Sequence, residues 1–166
     1  MTRFDIVRFP VTTASAIPTA LPTPTSLGFT AIFHEKEVAI LECENIATTA
    51  QHRNRKVLLK IKDYSYDEGA VKLVAEKNTA CFLVDVGQII RAHGIFRVMW
   101  ISRLRNFVRL CIKQKALYAI VSMTENHENI RTADELESIG VLIGLNRGQA
   151  KMAMNLVERY TLTLPE

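Results

Sequence analysis

Short runs of β-forming residues recur along this chain, separated by amphipathic segments, at roughly 20 to 25 residues per unit. FDIVRF (4–9), FTAIFH (29–34), KVLLKI (56–61), ACFLVDV (80–86), FRVMWI (96–101) and LYAIVSM (117–123) read as strands. Several are apolar on both parities, as strands covered on both faces must be. Helical segments are expected near 43–51, 66–77, 87–93 and 102–115. Strand–helix alternation of this kind is the pattern of parallel α/β architecture, either a barrel or a doubly wound sheet. One stretch breaks it. Residues 10–26 hold four of the five prolines and no charge, and Pro18, Pro22 and Pro24 each remove an amide donor. A loop is expected there, with one helical turn around Ala14 to Ile17 and no P-x-x-P partner motif.

Composition narrows the classes. The 166 residues are 48% hydrophobic and 23% charged, which excludes wholesale disorder and fits a single domain over 1–166. The longest near-unbroken apolar run, Ala116 to Met123, is far short of the ~20 residues of a membrane span. Met1 to Phe9 alternates charged and apolar residues, unlike a secretory signal. Cys43, Cys81 and Cys111 form no C-x-x-C pair, so a reducing, cytoplasmic setting is expected, with Cys81 and Cys111 buried.

The chain ends in a different style. Thr132-x-x-Glu135 is a capping box opening a helix with Leu136, Ile139 and Ile143 on one face, and Gly144 stops it. Asn146-x-x-Gln149 caps another helix carrying Ala150, Ala153, Met154, Val157 and Tyr160. The pair reads as an αα-hairpin closing an α/β domain. A DNA-binding helix-turn-helix, with Arg147, Gln149 and Lys151 on base edges, is the rival reading.

Signatures of self-contained catalysis are absent. There is no G-x-G-x-x-G, P-loop, G-x-S-x-G or H-E-x-x-H. His34, His52, His93 and His127 are scattered, and Asp85, at a strand end, has no carboxylate partner in the sequence. A stand-alone metal-dependent phosphoesterase would need ligands that no motif reveals. The basic residues are better organised. In SRLRNFVRLCIKQK (102–115), opened by a Ser102 cap, Leu104, Phe107, Val108 and Cys111 share one face. Arg105, Arg109 and Lys113 form a stripe beside it, with Arg103 and Lys115 at the ends. Like charges four apart repel by a few tenths of a kcal/mol, and no acid within the segment offsets them. An anionic partner is the expected use, and replacing the stripe with alanine should weaken its binding without unfolding the domain. Arg53, Arg55, Lys56, Lys60 and Lys62 make a second cluster; Arg131, Arg147 and Lys151 make a third.

Residues 101–155 resemble the C-terminal part of the archaeal ribonuclease P protein component 3 family, counterpart of a eukaryotic nuclear ribonuclease P subunit. The matching features are the basic helix Arg103 to Lys115, the strand Leu117 to Met123 and the loop Ile130-Arg131. They continue through Asp134-Glu135-Leu136, Gly140-x-x-x-Gly144 and Gln149-Ala150-Lys151, and cover about a third of the chain. The resemblance implies a compact, irregular TIM-barrel-like α/β fold related to PHP phosphoesterases. It implies a non-catalytic protein subunit of an endoribonuclease whose RNA removes the 5′ leader of precursor tRNA. Magnesium would be held by the RNA and none by this chain, and a second, Pop-type protein subunit would be its partner. RNA phosphates would fall to Arg103, Arg105, Arg109, Lys113 and Arg131, then to Lys56, Arg147 and Lys151. The chain departs from the family in three ways. It is short for a barrel of ~250 residues, which points to an incomplete or strained one. Arg131-Thr132-Ala133-Asp134 lacks the usual proline, and Phe4-Asp5-Ile6-Val7 stands where the PHP ligands H-x-H would be.

Overall fold

The computed structural model describes residues 2–8, 23–126 and 129–162. Among these, six strands form two all-parallel sheets. β1 (Phe4–Val7) pairs with β2 (Ala31–His34), and β3 (Ile40–Asn45), β4 (Leu58–Asp63), β5 (Cys81–Asp85) and β6 (Tyr118–Val121) follow in that order. Helices α1 (Ile46–Thr49), α2 (Glu68–Lys77), α3 (Gly87–Arg91) and α4 (Gly94–Gln114) connect the strands of the larger sheet, and α5 (Ala133–Leu142) and α6 (Arg147–Asn155) follow β6.

The mixed parallel α/β class expected from the alternation is what the chain adopts, but no closed barrel forms among the described residues. The reason lies between β2 and β3. Residues 35–39 link them, while a crossover between neighbouring parallel strands needs about ten or more. β2 and β3 therefore run on as one kinked segment, the first part laddering to β1 and the second to β4. The C-terminal segment lies against the kink: Ala39 N–H donates to the Tyr160 carbonyl (2.9 Å) and Leu162 N–H to that of Glu37 (2.7 Å).

Strand parity divides the core. Leu58, Cys81, Leu83, Ala119 and Val121 point to one side, where Phe4, Ile6, Val157 and Tyr160 cover them. Leu59, Phe82, Val84 and Ile120 point to the other, against Val71 and Val74 of α2, Leu104, Phe107 and Val108 of α4, and Leu136 and Met154. Both capping boxes form as expected, on Thr132/Glu135 and Asn146/Gln149, and Ile139 is half-buried beside buried Leu136 and Ile143. α5 and α6 make the expected αα-hairpin, continued by a 3₁₀ turn over Leu156–Tyr160. Cys43, Cys81 and Cys111 are all buried free thiols.

Several expectations are corrected. FRVMWI (96–101) is helix: α4 begins at Gly94, behind His93 rather than a Ser102 cap. A strand there would have to enter between β5 and β6, which pair directly with one another. The helix expected over 43–51 begins only at Ile46, because ILECEN is β3, and Asn45 caps α1 by accepting from Thr48 N–H (3.0 Å). Glu42 and Glu44 disguised this strand; each meets a lysine on β4, Lys60 at 2.9 Å and Lys62 at 2.7 Å. Thr25–Leu27 forms a 3₁₀ turn, and the helical turn expected at Ala14 to Ile17 lies outside the described residues.

The two sheets meet along β1 and β6 through a polar junction. Asp5 Oδ1 accepts the backbone N–H groups of Ser122 (2.7 Å) and Ile6 (2.8 Å), and Oδ2 accepts the Ser122 hydroxyl (2.6 Å). Thr124 Oγ1 donates to Ser122 Oγ at 2.7 Å, and Val7 bridges Thr124. Beside it, Asp85 accepts Gly87 N–H (2.9 Å), and Arg91 pairs with Asp85 (3.2 Å) and donates to the Met123 carbonyl (3.1 Å). Asp85 thus has a structural partner that its sequence position did not reveal. Arg8, next along the chain, is shared by Glu125 (2.7 Å), Glu35 (3.3 Å) and Glu42 (3.8 Å).

Burial pushes the carboxyls of Asp5 and Asp85 up to about 6, against the hydrogen bonds and Arg91 that favour their charged forms. A carboxylate raised above its unfolded value gives stability that is complete below pH ~4 and lost as the pH rises to about 6. For Asp5 the loss at pH 7 is roughly 3 kcal/mol at most. Asp5→Asn is accordingly expected to be at least as stable at pH 7 and to show a flatter stability profile between pH 4 and 6. Urea unfolding across that range measures both, and a clear loss at pH 7 would refute the assignment. Packing at the junction is tight as well. A Cβ on Gly87 would lie 1.9 Å from the Ser122 carbonyl oxygen, a backbone atom that cannot step aside. Gly87→Ala is expected to cost more than about 3 kcal/mol, read as a large fall in urea midpoint.

Candidate nucleic-acid interface

Helix α4 has 21 residues and two different halves. Its C-terminal half buries Leu104, Phe107, Val108 and Cys111, the i, i+3, i+4, i+7 face expected from the sequence, and Leu110 beside them. Its N-terminal half leaves Ile95, Phe96 and Val98 at 67, 64 and 60% exposure.

The basic side chains divide between two neighbourhoods. Arg103, Arg109 and Lys113 line one groove of about 440 Å³, together with Asn106 and with Tyr64 and Tyr66 from the segment joining β4 to α2. Ile46, Phe107 and Leu110 lie beneath it, and among the described residues the nearest paired carboxylate is Glu68, on Lys113. Tyr64 is fixed edge-on against Trp100 (6.2 Å between centroids) and Phe107 (5.0 Å), while Arg103 lies over Trp100 at 5.6 Å. Glu68, at the start of α2, fastens the wall. It accepts from the Tyr66 hydroxyl (2.8 Å), Lys113 Nζ (2.7 Å) and Gln114 Nε2 (2.6 Å). Lys113 holds the Glu68 carboxyl below its ordinary range, and Glu68 raises the Lys113 ammonium in return.

Arg105, the first member of the expected stripe, is drawn the other way. Its guanidinium donates to the Leu142 carbonyl (2.7 Å), satisfying an orphan acceptor at the end of α5. The other sequence candidates are also dispersed. Arg131 donates to the Ile130 carbonyl (2.9 Å) and lines a separate shallow groove with Asp134, Glu135 and Ser138. Lys56 is exposed in the turn before β4, at the opposite strand end from Tyr64. Arg147 and Lys151 flank the buried Glu137 at 3.8 and 3.7 Å, tying α6 to α5. Arg53 donates to the Ala50 carbonyl (2.8 Å), and Lys60 and Lys62 are the ion-paired lysines of β4.

The helix-turn-helix reading loses its base-reading trio in this arrangement. Gln149 is spent on its capping box, accepting Asn146 N–H at 2.9 Å, while Arg147 and Lys151 face Glu137. Tyr66, Asn106 and Glu68 were missed by reasoning along the sequence. The only signal was Tyr-Ser-Tyr-Asp directly after a strand ending in lysine and aspartate. Among the described residues, no group of three His, Cys, Asp or Glu side chains is placed to hold a metal ion, and no helix is long and apolar enough to cross a membrane.

Comparison with known proteins bears out the resemblance seen at the C-terminal third and extends it. Ribonuclease P protein component 3 of Archaeoglobus fulgidus is 29% identical over 125 residues, 74% of this chain. The aligned region is 62% of that relative, so the chain spans less than two thirds of its length. A chain in the cryo-EM structure of archaeal ribonuclease P with mature tRNA shares the fold, with a TM-score of 0.61 and 16% identity. That match covers 78% of this chain and 65% of the other. No family model matches the sequence.

Proposed function

We propose that this chain is a protein subunit of cytoplasmic ribonuclease P, supporting the catalytic RNA as it removes the 5′ leader from precursor tRNA. The similarity to a component 3 protein supports the family. The observation that carries the role is the groove on α4, where Arg103 and Arg109 converge with Lys113, the lysine held in place by Glu68 at 2.7 Å. Arginine forks match phosphate geometry, so Arg103 and Arg109 hold the RNA backbone bidentately and Lys113 adds a point charge. The chain's contribution is electrostatic. It neutralises phosphates and thereby favours compaction of the RNA around magnesium ions that the RNA itself holds. No catalytic group is assigned to the protein. In this reading the fold is a shortened relative of the TIM barrel and of PHP phosphoesterases, with the kinked β2–β3 segment standing in for two strands.

The second protein subunit is assigned to the N-terminal half of α4. Ile95, Phe96 and Val98 form an apolar strip flanked by Arg97 and Arg103. Two copies of this chain meeting there would bring like charges together. A partner with an apolar centre and an acidic rim satisfies both features.

The test is precursor tRNA cleavage by the cognate RNA, with and without this chain and its partner subunit, across magnesium concentrations. Adding the pair is expected to lower the magnesium requirement. The Arg103→Ala, Arg109→Ala, Lys113→Ala triple variant should lose at least about tenfold in RNA affinity and flatten its salt dependence by about two units of slope. Arg105→Ala should instead lower stability and leave RNA affinity nearly unchanged. No effect of the folded pair on cleavage would overturn the proposal. Phe96→Glu is expected to abolish co-purification with the partner subunit while RNA binding by this chain alone persists.

A further inference from the structure

The α4 groove contains more than phosphate binding requires. A site for backbone phosphates needs cations on an accessible surface; this one adds an amide and an open aromatic ring. The Tyr66 ring is 71% exposed, although its hydroxyl is held by Glu68 at 2.8 Å. The ring is thus anchored at one end with its surface in water. Burying an anchored ring costs less side-chain entropy than burying a free one. Asn106, one turn from both Arg103 and Arg109 on the same helix, presents a donor and an acceptor at the rim. The groove's size, about 440 Å³, falls within the ~300–1,000 Å³ of small-ligand clefts.

We infer that this groove is a binding site for an unpaired RNA nucleotide, its base stacked on Tyr66 and its flanking phosphates held by Arg103, Arg109 and Lys113. The inference rests on the RNA-binding reading above and names the part of the RNA that this surface takes. A paired base is already stacked on its neighbours and has no free π-face to offer, whereas a single-stranded or bulged base has one. Ile46, Phe107 and Leu110 lie beneath the groove almost fully buried and set its depth, while the open Tyr66 ring supplies the apolar surface that phosphate alone would not use. Asn106 gives the site a means of distinguishing base edges. Glu68 acts as a positioning residue: it fixes Tyr66 and Lys113 at once, so stacking and phosphate contact come in register.

The experiment uses the full chain and two fluorescent probes, a ten-nucleotide single-stranded oligouridylate and a blunt RNA duplex of equal length, at moderate salt. The parent protein is expected to bind the single strand more tightly than the duplex. Tyr66→Ala should weaken single-strand binding about tenfold or more and change duplex binding little. Tyr66→Phe keeps the ring and loses only the hydroxyl bond to Glu68, so it should retain most of the single-strand affinity. Thermal melts should show both variants folded, because the ring is exposed. An unchanged single-strand affinity in Tyr66→Ala overturns the stacking site and leaves the phosphate-binding surface standing. Equal losses in Tyr66→Ala and Tyr66→Phe also overturn it, because they trace the effect to the hydroxyl. A folded parent that binds neither probe overturns both the site and the RNA reading on which it rests.

Discussion

The buried side chain of Asp5 orders the seam between the two sheets, where β1 meets the residue that follows β6. β1 and β2 form a sheet of two strands, too small to be stable alone, and their attachment to the larger sheet runs through β6. Asp5 reaches across that seam to take the amide and hydroxyl of Ser122, and also accepts the N–H of its own neighbour Ile6. Burial makes the charge costly, and the surrounding donors compensate only in part. A neutral side chain would pack here at lower cost. The carboxylate supplies direction, since its two bonds from Ser122 fix β1 against the turn that follows β6. Arg91 continues the arrangement by bonding both Asp85 and the Met123 carbonyl. Met123 has a left-handed backbone (φ 43°) while fully buried, and the Arg91 bond helps hold it there.

Elements whose partners lie within the same segment were legible in the sequence. The capping boxes Thr132/Glu135 and Asn146/Gln149 are local, and both formed. The two-sided apolar character of ACFLVDV and LYAIVSM is also local, and both runs became buried strands, β5 and β6. Elements defined by distant partners were not legible. ILECEN reads as half-polar until Lys60 and Lys62 are placed on the neighbouring strand. FRVMWI has β-forming residues throughout, but propensity is a weak guide where no strand slot exists for it. Even the family resemblance carried the barrel further than residues 35–39 allow.

The same distinction explains the site. Periodicity correctly placed Leu104, Phe107 and Cys111 in the core, while Arg105 turned to the end of α5 and left Arg109 and Lys113 in the groove. It could not show that α5 would end against Arg105, or that α2 would bring Glu68 to Lys113. Glu137 was likewise invisible as the reason that Arg147 and Lys151 sit where they do. Charge counted along a chain overstates the charge free to act, because folding spends part of it on carbonyls and buried acids. The arginines left in the groove are joined by tyrosines from about forty residues earlier in the chain, and only the fold puts them together.

The bare apolar half of α4 ties this chain to the supply of whatever covers it. Made in excess, the chain would carry three large hydrophobic side chains into solution on a projecting helix, a surface that quality-control machinery recognises and that promotes self-association as concentration rises. In the proposed assembly, the partner that covers this strip would also remove that hazard.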